Sequence, residues 1–378
     1  MPKCSIVIDL GFGDAGKGIT TDFLASQQPE ESLVVRFSGG HQVGHTVATE
    51  NLEHTFSNFG SGTFQGVPTY YSEHTTLFPP AILQEGNYLK AYHPKLYLHP
   101  LAMVTTVYDI AYNRALEKQQ GHGSCGLGFG ATIARHREEV FFYANDLQFK
   151  WVIEQRLQSI QKYYQNKIAQ QSKAVQEYYT NELKQYEEAF FVETCLTMHS
   201  FYTIAKLADL ASSFQHFIFE GSQGILLDTQ HGFYPHTTWS YTSSKNAIQL
   251  IANELNDAQI NIYYVTRCYQ TRHGNGPMSN TPEVTLINNE NEANVTNEFQ
   301  GEFRTKTLDP NLLNYALSCD QIHHQNLAIT KNLMITCLDQ LPDFSVENLL
   351  QKIPISFSKI YASYGPSRQT IKLIKSTN

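Results

Sequence analysis

Gly11-Phe12-Gly13-Asp14-Ala15-Gly16-Lys17-Gly18 directly follows the apolar run Ser5-Ile6-Val7-Ile8-Asp9-Leu10. A short β-branched run that ends in glycines predicts a buried strand turning sharply into a helix. The spacing Gly11-x4-Gly16-Lys17 matches most of a P-loop, in which backbone N–H groups cradle phosphates and a lysine adds charge. The next residue is Gly18, whereas a P-loop NTPase carries there a Ser or Thr hydroxyl that holds Mg²⁺. Asp14 sits inside the loop, where a carboxylate repels phosphate unless a metal ion lies between them or the group works as a base. The alternative is a plain strand-to-helix turn with Asp14 as the helix N-cap. By itself the loop does not choose between them.

Further runs rich in Val, Ile, Leu, Phe and Tyr occupy residues 33–37, 217–220, 260–266, 333–337 and 359–362, each closed by Gly or polar residues. With longer periodic segments between them, they predict an α/β fold: a large, mostly parallel central sheet flanked by helices. Ligands then collect at the carboxyl ends of the strands, where the glycine-rich segments lie. Residues 146–212 differ. Their apolar positions Ile153, Leu157, Ile160, Tyr164 and Ile168, then Val175, Tyr179, Leu183, Tyr186 and Phe190, step by three, four and seven. That spacing predicts a helical subregion packed within a single domain spanning 1–378. The Asn/Glu-rich stretch 288–298 reads as a mobile loop.

The 378 residues are 41% hydrophobic, enough for a large core, and carry a formal charge of -8. That balance lacks the basic footprint of a nucleic-acid binder. No run of 18 apolar residues predicts a membrane span, and the N-terminus shows no secretory signal pattern. Six scattered cysteines form no CxxC pair, so a cytoplasmic setting is expected.

A second glycine-rich segment, Arg36-Phe37-Ser38-Gly39-Gly40-His41-Gln42-Val43-Gly44-His45-Thr46, also follows a predicted strand. Its two histidines lie four apart, but the Glu of HExxH is missing and the glycines disfavour the helix a zinc protease needs. In such a turn, backbone amides and an imidazole can face a developing oxyanion. A buried structural histidine is the other outcome.

With Asp14 and His45 both after strands, the pattern resembles the adenylosuccinate synthetase family, whose loops read roughly WGDEGKGK and GG(N/H)NAGHT. Gly123-Ser124-Cys125-Gly126-Leu127-Gly128-Phe129-Gly130 followed by Ala134-Arg135 is similar to its TTGRGIGP…AR segment. Phe219-Glu220-Gly221-Ser222-Gln223-Gly224 and Tyr234-Pro235-His236-Thr237-Thr238 resemble FEGAQG and YPFVT, and Tyr269 to Pro277 resembles YTTRVGAGP. Thr336-Cys337-Leu338-Asp339 and Gly365-Pro366-Ser367-Arg368 resemble TKLD and GPDR.

The resemblance implies a P-loop-related fold and a homodimeric ligase that couples GTP cleavage to joining IMP and L-aspartate. It implies Asp14 as the base at N1 of hypoxanthine, His45 as the group stabilising the transferring phosphoryl, and Gln223 beside them. Mg²⁺ would lie on Asp14 and the Gly44 carbonyl. GTP would meet Gly13, Gly16, Lys17, Gly18, Gly44, Thr46, Gly365 and Pro366, with Asp339 reading guanine. The monophosphate would meet Gln42, Ser124, Cys125 and Thr238, and Arg135 would reach it from the neighbouring subunit. Arg304 is the expected carboxylate clamp for the amino acid.

Departures from the family pattern cluster near these ligands. Ala15 replaces Glu, Ile19 the second Lys, Gln42 Asn, Cys125 Thr and Cys337 Lys. The aspartate loop TTGRxRR corresponds to residues 299–306, where Glu302 brings an anion to an anion site. These changes keep two alternatives open: the same chemistry on another amino acid or purine nucleotide, and a nucleotide-binding regulator without ligase activity.

Overall fold

The computed structural model describes residues 1–120, 124–274, 276–287, 302–325 and 327–377. The stretch 288–298 expected as a mobile loop, and residues 299–301 of the expected amino-acid loop, lie outside the described residues. Sixteen strands are assigned among the described residues. β1 (Lys3–Asp9), β2 (Ser32–Arg36), β5 (Thr69–Tyr71), β7 (Leu96–Leu98), β9 (Tyr202–Ile204), β10 (His216–Glu220), β11 (Gln259–Arg267), β14 (Ile329–Thr336), β15 (Lys359–Ser363) and β16 (Ile371–Ser376) form one sheet. Short pairs stand apart from it: β3 (His45–Ala48) with β4 (Glu53–Phe56), β6 (Thr76–Leu77) with β8 (Met103–Val104), and β12 (Tyr269–His273) with β13 (Phe303–Thr307).

The order in the large sheet is β16-β15-β14-β11-β1-β10-β2-β5-β7-β9, and every pairing is parallel except β15 with β16. All six strands expected from the apolar runs are here, side by side in the middle of the sheet. A central parallel strand is covered on both faces, which is why these runs are continuously apolar. On β1, Ile6 and Ile8 face one core with Phe217, Phe219 and Ile262, while Val7 faces the other with Val34, Ile218 and Val265. Helix α1 (Lys17–Ala25) covers this second face with Leu24 and Ala25.

From β1 the chain adds strands on one side as far as β9, returns to place β10 between β1 and β2, and then builds the other side. Chain direction across the sheet reverses around β1 and β10. A crevice opens outside the carboxyl ends of strands at such a switch point.

Helices α2 (Pro79–Tyr88), α3 (Val107–Gln120) and α4 (Phe129–Arg137) precede the expected helical subregion. That subregion holds α5 (Lys150–Ile168), α6 (Lys173–Leu183) and α7 (Glu188–Thr197), and it ends by contributing strand β9 to the sheet edge. The α5 stripe is buried at each expected position, and Val175 and Tyr179 continue it on α6. Phe190 is exposed and Phe191 is buried instead. The chain leaves helical geometry between Leu183 and Glu188, so the helical phase restarts on α7 and the stripe shifts by one residue.

Candidate active site

At the switch point lies a cavity of about 800 Å³. Gly13 and Asp14 from the loop after β1 line it, with Gln42 and Gly44 from the loop after β2, His45 where that loop enters β3, and Gln223 from the loop after β10. Ser124, Cys125 and Thr238 line it farther along, so nine of the expected site residues meet in one space. Gln223 takes a left-handed backbone, φ 58°, at the point where the loop passes Gly13. For a residue with a side chain that conformation costs about 1–2 kcal/mol, the kind of strain that persists where the surroundings over-determine it.

The glycine loop owes its shape to Asp9, the last residue of β1. Its carboxylate accepts from Gly11 N at 2.7 Å, Ala15 N at 2.9 Å and Lys17 Nζ at 3.1 Å. Lys17 also donates to Gly13 O at 2.5 Å, and both ends of this ion pair are buried. Lys17 thus folds beneath the loop and does not line the cavity. The N-cap of α1 is Gly16, with φ 98° and no side-chain cap, so Asp14 does not serve as a helix cap. Gly18 is explained by close approach: a Cβ there would stand 2.9 Å from Thr46 O and 3.1 Å from His45 Cβ. No room exists for the Ser or Thr of an ordinary P-loop NTPase. The start of α1, with Gly16, Gly18 and Thr46 adjacent, is an N-terminus where N–H groups and the helix dipole favour an anion.

Asp14 keeps its carboxylate toward the cavity. Burial pushes its pKa up, against the pull of Arg267, His273 and Lys17. Arg267 Nε donates to the Asp14 carbonyl, and His273 Nε2 lies 3.7 Å from Asp14 Oδ2. The family motif has Val at the His273 position, so the motif gave no reason to place an imidazole there.

His45 begins β3, and its Nδ1 lies 3.0 Å from Glu220 Oε1. Burial lowers the His45 pKa more than Glu220 raises it, leaving a neutral ring whose Nδ1–H faces the carboxylate. Nε2 then has its lone pair on the other side of the ring. Burial alone would raise the Glu220 pKa, but His45, Arg36 and the Ser61 hydroxyl together bring it down to about 2. Arg36 is held by Ser57 O at 2.8 Å and Phe59 O at 2.7 Å, with its Nε 3.6 Å from Glu220 Oε2. Glu220, quoted within the motif but given no role, orients the imidazole.

Arg135 is a correction. It is fully buried in its own chain, with Nε on Asp109 Oδ1 at 2.9 Å and Nη atoms on Val140 O and Val104 O. Tyr164 of α5 shares Asp109 at 2.7 Å, so Arg135 joins the helical subregion to α3 and cannot reach a neighbour's site. Arg137, two residues on, lines the cavity and stacks on Trp239 at 5.0 Å.

Arg304 stands opposite Arg272 in the β12–β13 pair and donates to Gly274 O and to Gly276 O, the latter at 2.7 Å. It shapes the cavity-lining glycines and does not itself line the cavity. Arg272 does line it, over the Phe12 ring at 4.1 Å, and burial together with Arg304 brings its pKa down to about 10. Asp339, Gly365 and Pro366 occupy the turns after β14 and β15, outside the cavity. Arg368 ties the second turn to α1 through Asp22 at 2.9 Å.

Asp14 and the exposed Gly44 both line the cavity, and a carboxylate with a backbone carbonyl supplies the hard oxygen donors that suit Mg²⁺. Among the described residues no helix is long and apolar enough to cross a membrane, and all six cysteines are free thiols.

A P-loop-like turn, a carboxylate and an oriented imidazole at the switch point of a parallel sheet define an α/β enzyme of nucleotide-dependent phosphoryl transfer. The family model for adenylosuccinate synthetase matches residues 6–348. The chain belongs to the adenylosuccinate synthetase family, which are carbon–nitrogen ligases. It is 26% identical over 344 residues to the adenylosuccinate synthetase of Thermoplasma volcanium, covering 87% of this chain and 75% of that relative. Its fold is similar to that of a fully ligated adenylosuccinate synthetase from Plasmodium falciparum, with TM-score 0.73 and 14% identity over 98% of this chain and 99% of that one. It is also similar to a cyanophage S-2L succinoaminodeoxyadenylate synthetase bound to dGMP and dATP, with TM-score 0.67 and 16% identity over 99% and 95% of the two chains.

Proposed function

We propose that this chain uses GTP to activate IMP and joins it to L-aspartate, giving adenylosuccinate. The observation that carries the reading is the convergence of Asp14, His45 and Gln223 from three separate post-strand loops on one cavity. Asp14 takes the proton from N1, which makes O6 nucleophilic toward the γ-phosphoryl group. His45 is held at Nδ1 by Glu220; the approach of anionic phosphates favours a second proton at Nε2, and that N–H then donates to the charge developing on the phosphoryl group. The phosphorylated O6 is then a good leaving group, and the amine of the amino acid displaces it at C6. Mg²⁺ on Asp14 and Gly44 would neutralise triphosphate charge.

The donor phosphates fit the start of α1 beside Gly16, Gly18 and Thr46, with Asp339, Gly365 and Pro366 toward the base. The monophosphate fits the end of the cavity lined by Gln42, Ser124, Cys125 and Thr238, with Arg137 as its cation. The active form is a homodimer in the cytoplasm.

A second reading, with an acceptor other than aspartate, is favoured by one observation: Nη2 of Arg304 goes to two backbone carbonyls, and Arg304 does not line the cavity. The test of both is purified protein with GTP, IMP and Mg²⁺, assayed against each amino acid for phosphate release and the ultraviolet shift of the purine. Turnover with aspartate alone supports the first reading, and turnover with another amino acid the second. Tight nucleotide binding without turnover would sink both and leave a regulator.

A further inference from the structure

Glu73, His99 and Glu254 each place one ligand atom within 4.8 Å of the other two. They lie outside the cavity and take no part in the steps above. The register of the parallel strands β5 and β7 sets Tyr71 beside Leu98, and His99 N donates to Tyr71 O at 2.8 Å. The turns after these two strands therefore hold Glu73 and His99 together. Glu254 comes from a distant part of the chain, as the last residue of helix α9 (Lys245–Glu254), and its Oε2 accepts from Ala208 N at 3.0 Å.

What meets here is a set of lone pairs. His99 is 7% exposed, and its Nδ1 accepts from Leu101 N at 3.1 Å, which makes Nδ1 the unprotonated nitrogen of a neutral ring. That nitrogen stands 4.0 Å from Glu73 Oε2, a buried oxygen with no hydrogen-bond partner. Two acceptors facing each other at this range repel unless a cation stands between them. Among the described residues no Lys or Arg pairs with either carboxylate. His74 Nε2 is 3.8 Å from Glu73 Oε1, but burial lowers the pKa of this ring, and it is neutral at pH 7. The fully buried Tyr70 hydroxyl has no acceptor for its proton, and burial, then the charges of Glu254 and Glu73, raise its pKa. A phenol O–H beside these carboxylates suits the outer shell of a metal site, where it orients a ligating oxygen.

We propose that Glu73, His99 and Glu254 bind a divalent cation of the zinc type, which clamps the end of α9 to the carboxyl ends of β5 and β7. An imidazole nitrogen with two carboxylates is a donor set for Zn²⁺, whereas Mg²⁺ and Ca²⁺ favour oxygen alone. At about 2.0–2.2 Å from each ligand, Zn²⁺ holds the ligand atoms about 3.5 Å apart, and rotation of the two half-buried glutamate side chains closes the difference. When the metal takes Nδ1, the N–H of the exposed Leu101 passes to water. Three protein ligands leave a fourth position for a water molecule.

The test uses the full chain, stripped of metal with a chelator and returned to buffer with excess Mg²⁺, which occupies oxygen-only sites. Titration calorimetry with Zn²⁺ should show one saturable site per chain, and Zn²⁺ should raise the melting temperature. Glu254→Gln and His99→Gln should each weaken that site by about tenfold or more, the loss of one ligand, and abolish the rise in melting temperature. Unchanged Zn²⁺ affinity in either variant would overturn the proposal. So would the absence of saturable binding to the unaltered protein, the result expected if protons alone fill the cluster. Crystals of the unaltered protein soaked in Zn²⁺ give a reading that needs no variant. An anomalous peak at the zinc edge among the three side chains is expected, and peaks only elsewhere would rule the site out.

Discussion

Single residues carry the chemistry. Asp14→Asn keeps the shape but removes the proposed base, and it should lower kcat by about 10²–10⁴ while affinity for the monophosphate stays close to that of the unaltered protein. Steady-state kinetics with equilibrium binding checks this, and an active Asn variant would refute the role. Glu220→Gln removes the carboxylate behind His45 and leaves Arg36 charged and buried. It should reduce kcat by about 10²-fold or more through loss of imidazole orientation. Melting should show a stability loss of about 3–5 kcal/mol, the usual cost of breaking a buried pair. Asp14 and His45 were legible in sequence because each sits in a glycine-rich loop whose composition announces an exposed backbone. Glu220, Asp9 and His273 were not. What they do depends on partners brought to them by the sheet: Glu220 lies beside β2 only because β10 is inserted there.

Helix α4 shows how an element decides between two equivalent candidates. Arg135 and Arg137 lie two residues apart, about 200° around the helix, so they face opposite sides. One faces Asp109 and the core, the other the cavity. Arg135→Met should cost about 3–5 kcal/mol in stability by leaving Asp109 and Tyr164 without their cation. Arg137→Ala should leave the melting temperature nearly unchanged and raise KM for the monophosphate about tenfold, the loss of a charge-assisted contact. Kinetics that moved with Arg135 and not with Arg137 would reverse the assignment. The motif Ala134-Arg135 could not reveal this, because helical period gives the angle between two residues and not which of them meets the core. The break between α6 and α7 makes the same point, since it moved burial from Phe190 to Phe191.

At the scale of the whole molecule, burial reaches several histidines. Burial lowers His41 to about 4, and His136 and His216 to about 3, far below the ordinary imidazole value. His216, the first residue of β10, lies between Ser5 Oγ at 2.9 Å and Ser32 Oγ at 3.4 Å, away from the cavity. Above pH 6.5 these rings are neutral in both folded and unfolded chains and do not affect stability. As pH falls below 6.5 the unfolded chain takes up protons that the fold refuses, and each ring removes about 1.4 kcal/mol per pH unit. Stability should therefore decline from about pH 6.5 towards pH 4, and His216→Gln should make that decline shallower by one proton. Denaturant melts at several pH values measure both slopes; an unchanged slope in the variant would show that His216 takes up its proton in the fold.

The parallel sheet, its six central strands and the two glycine-rich turns that carry Asp14 and His45 are set by the sequence alone. These follow from local composition and period, because a strand buried on both faces must be continuously apolar and a tight turn must carry glycine. Only the tertiary structure decided that Lys17 points down to Asp9, that Glu220 backs His45, that Arg137 and not Arg135 faces the cavity, and that Arg304 braces glycine carbonyls. Each of those outcomes depends on groups distant in the chain. Burial makes an unpaired charge costly, so each charged side chain turns to whichever partner the packing of the sheet brings within reach.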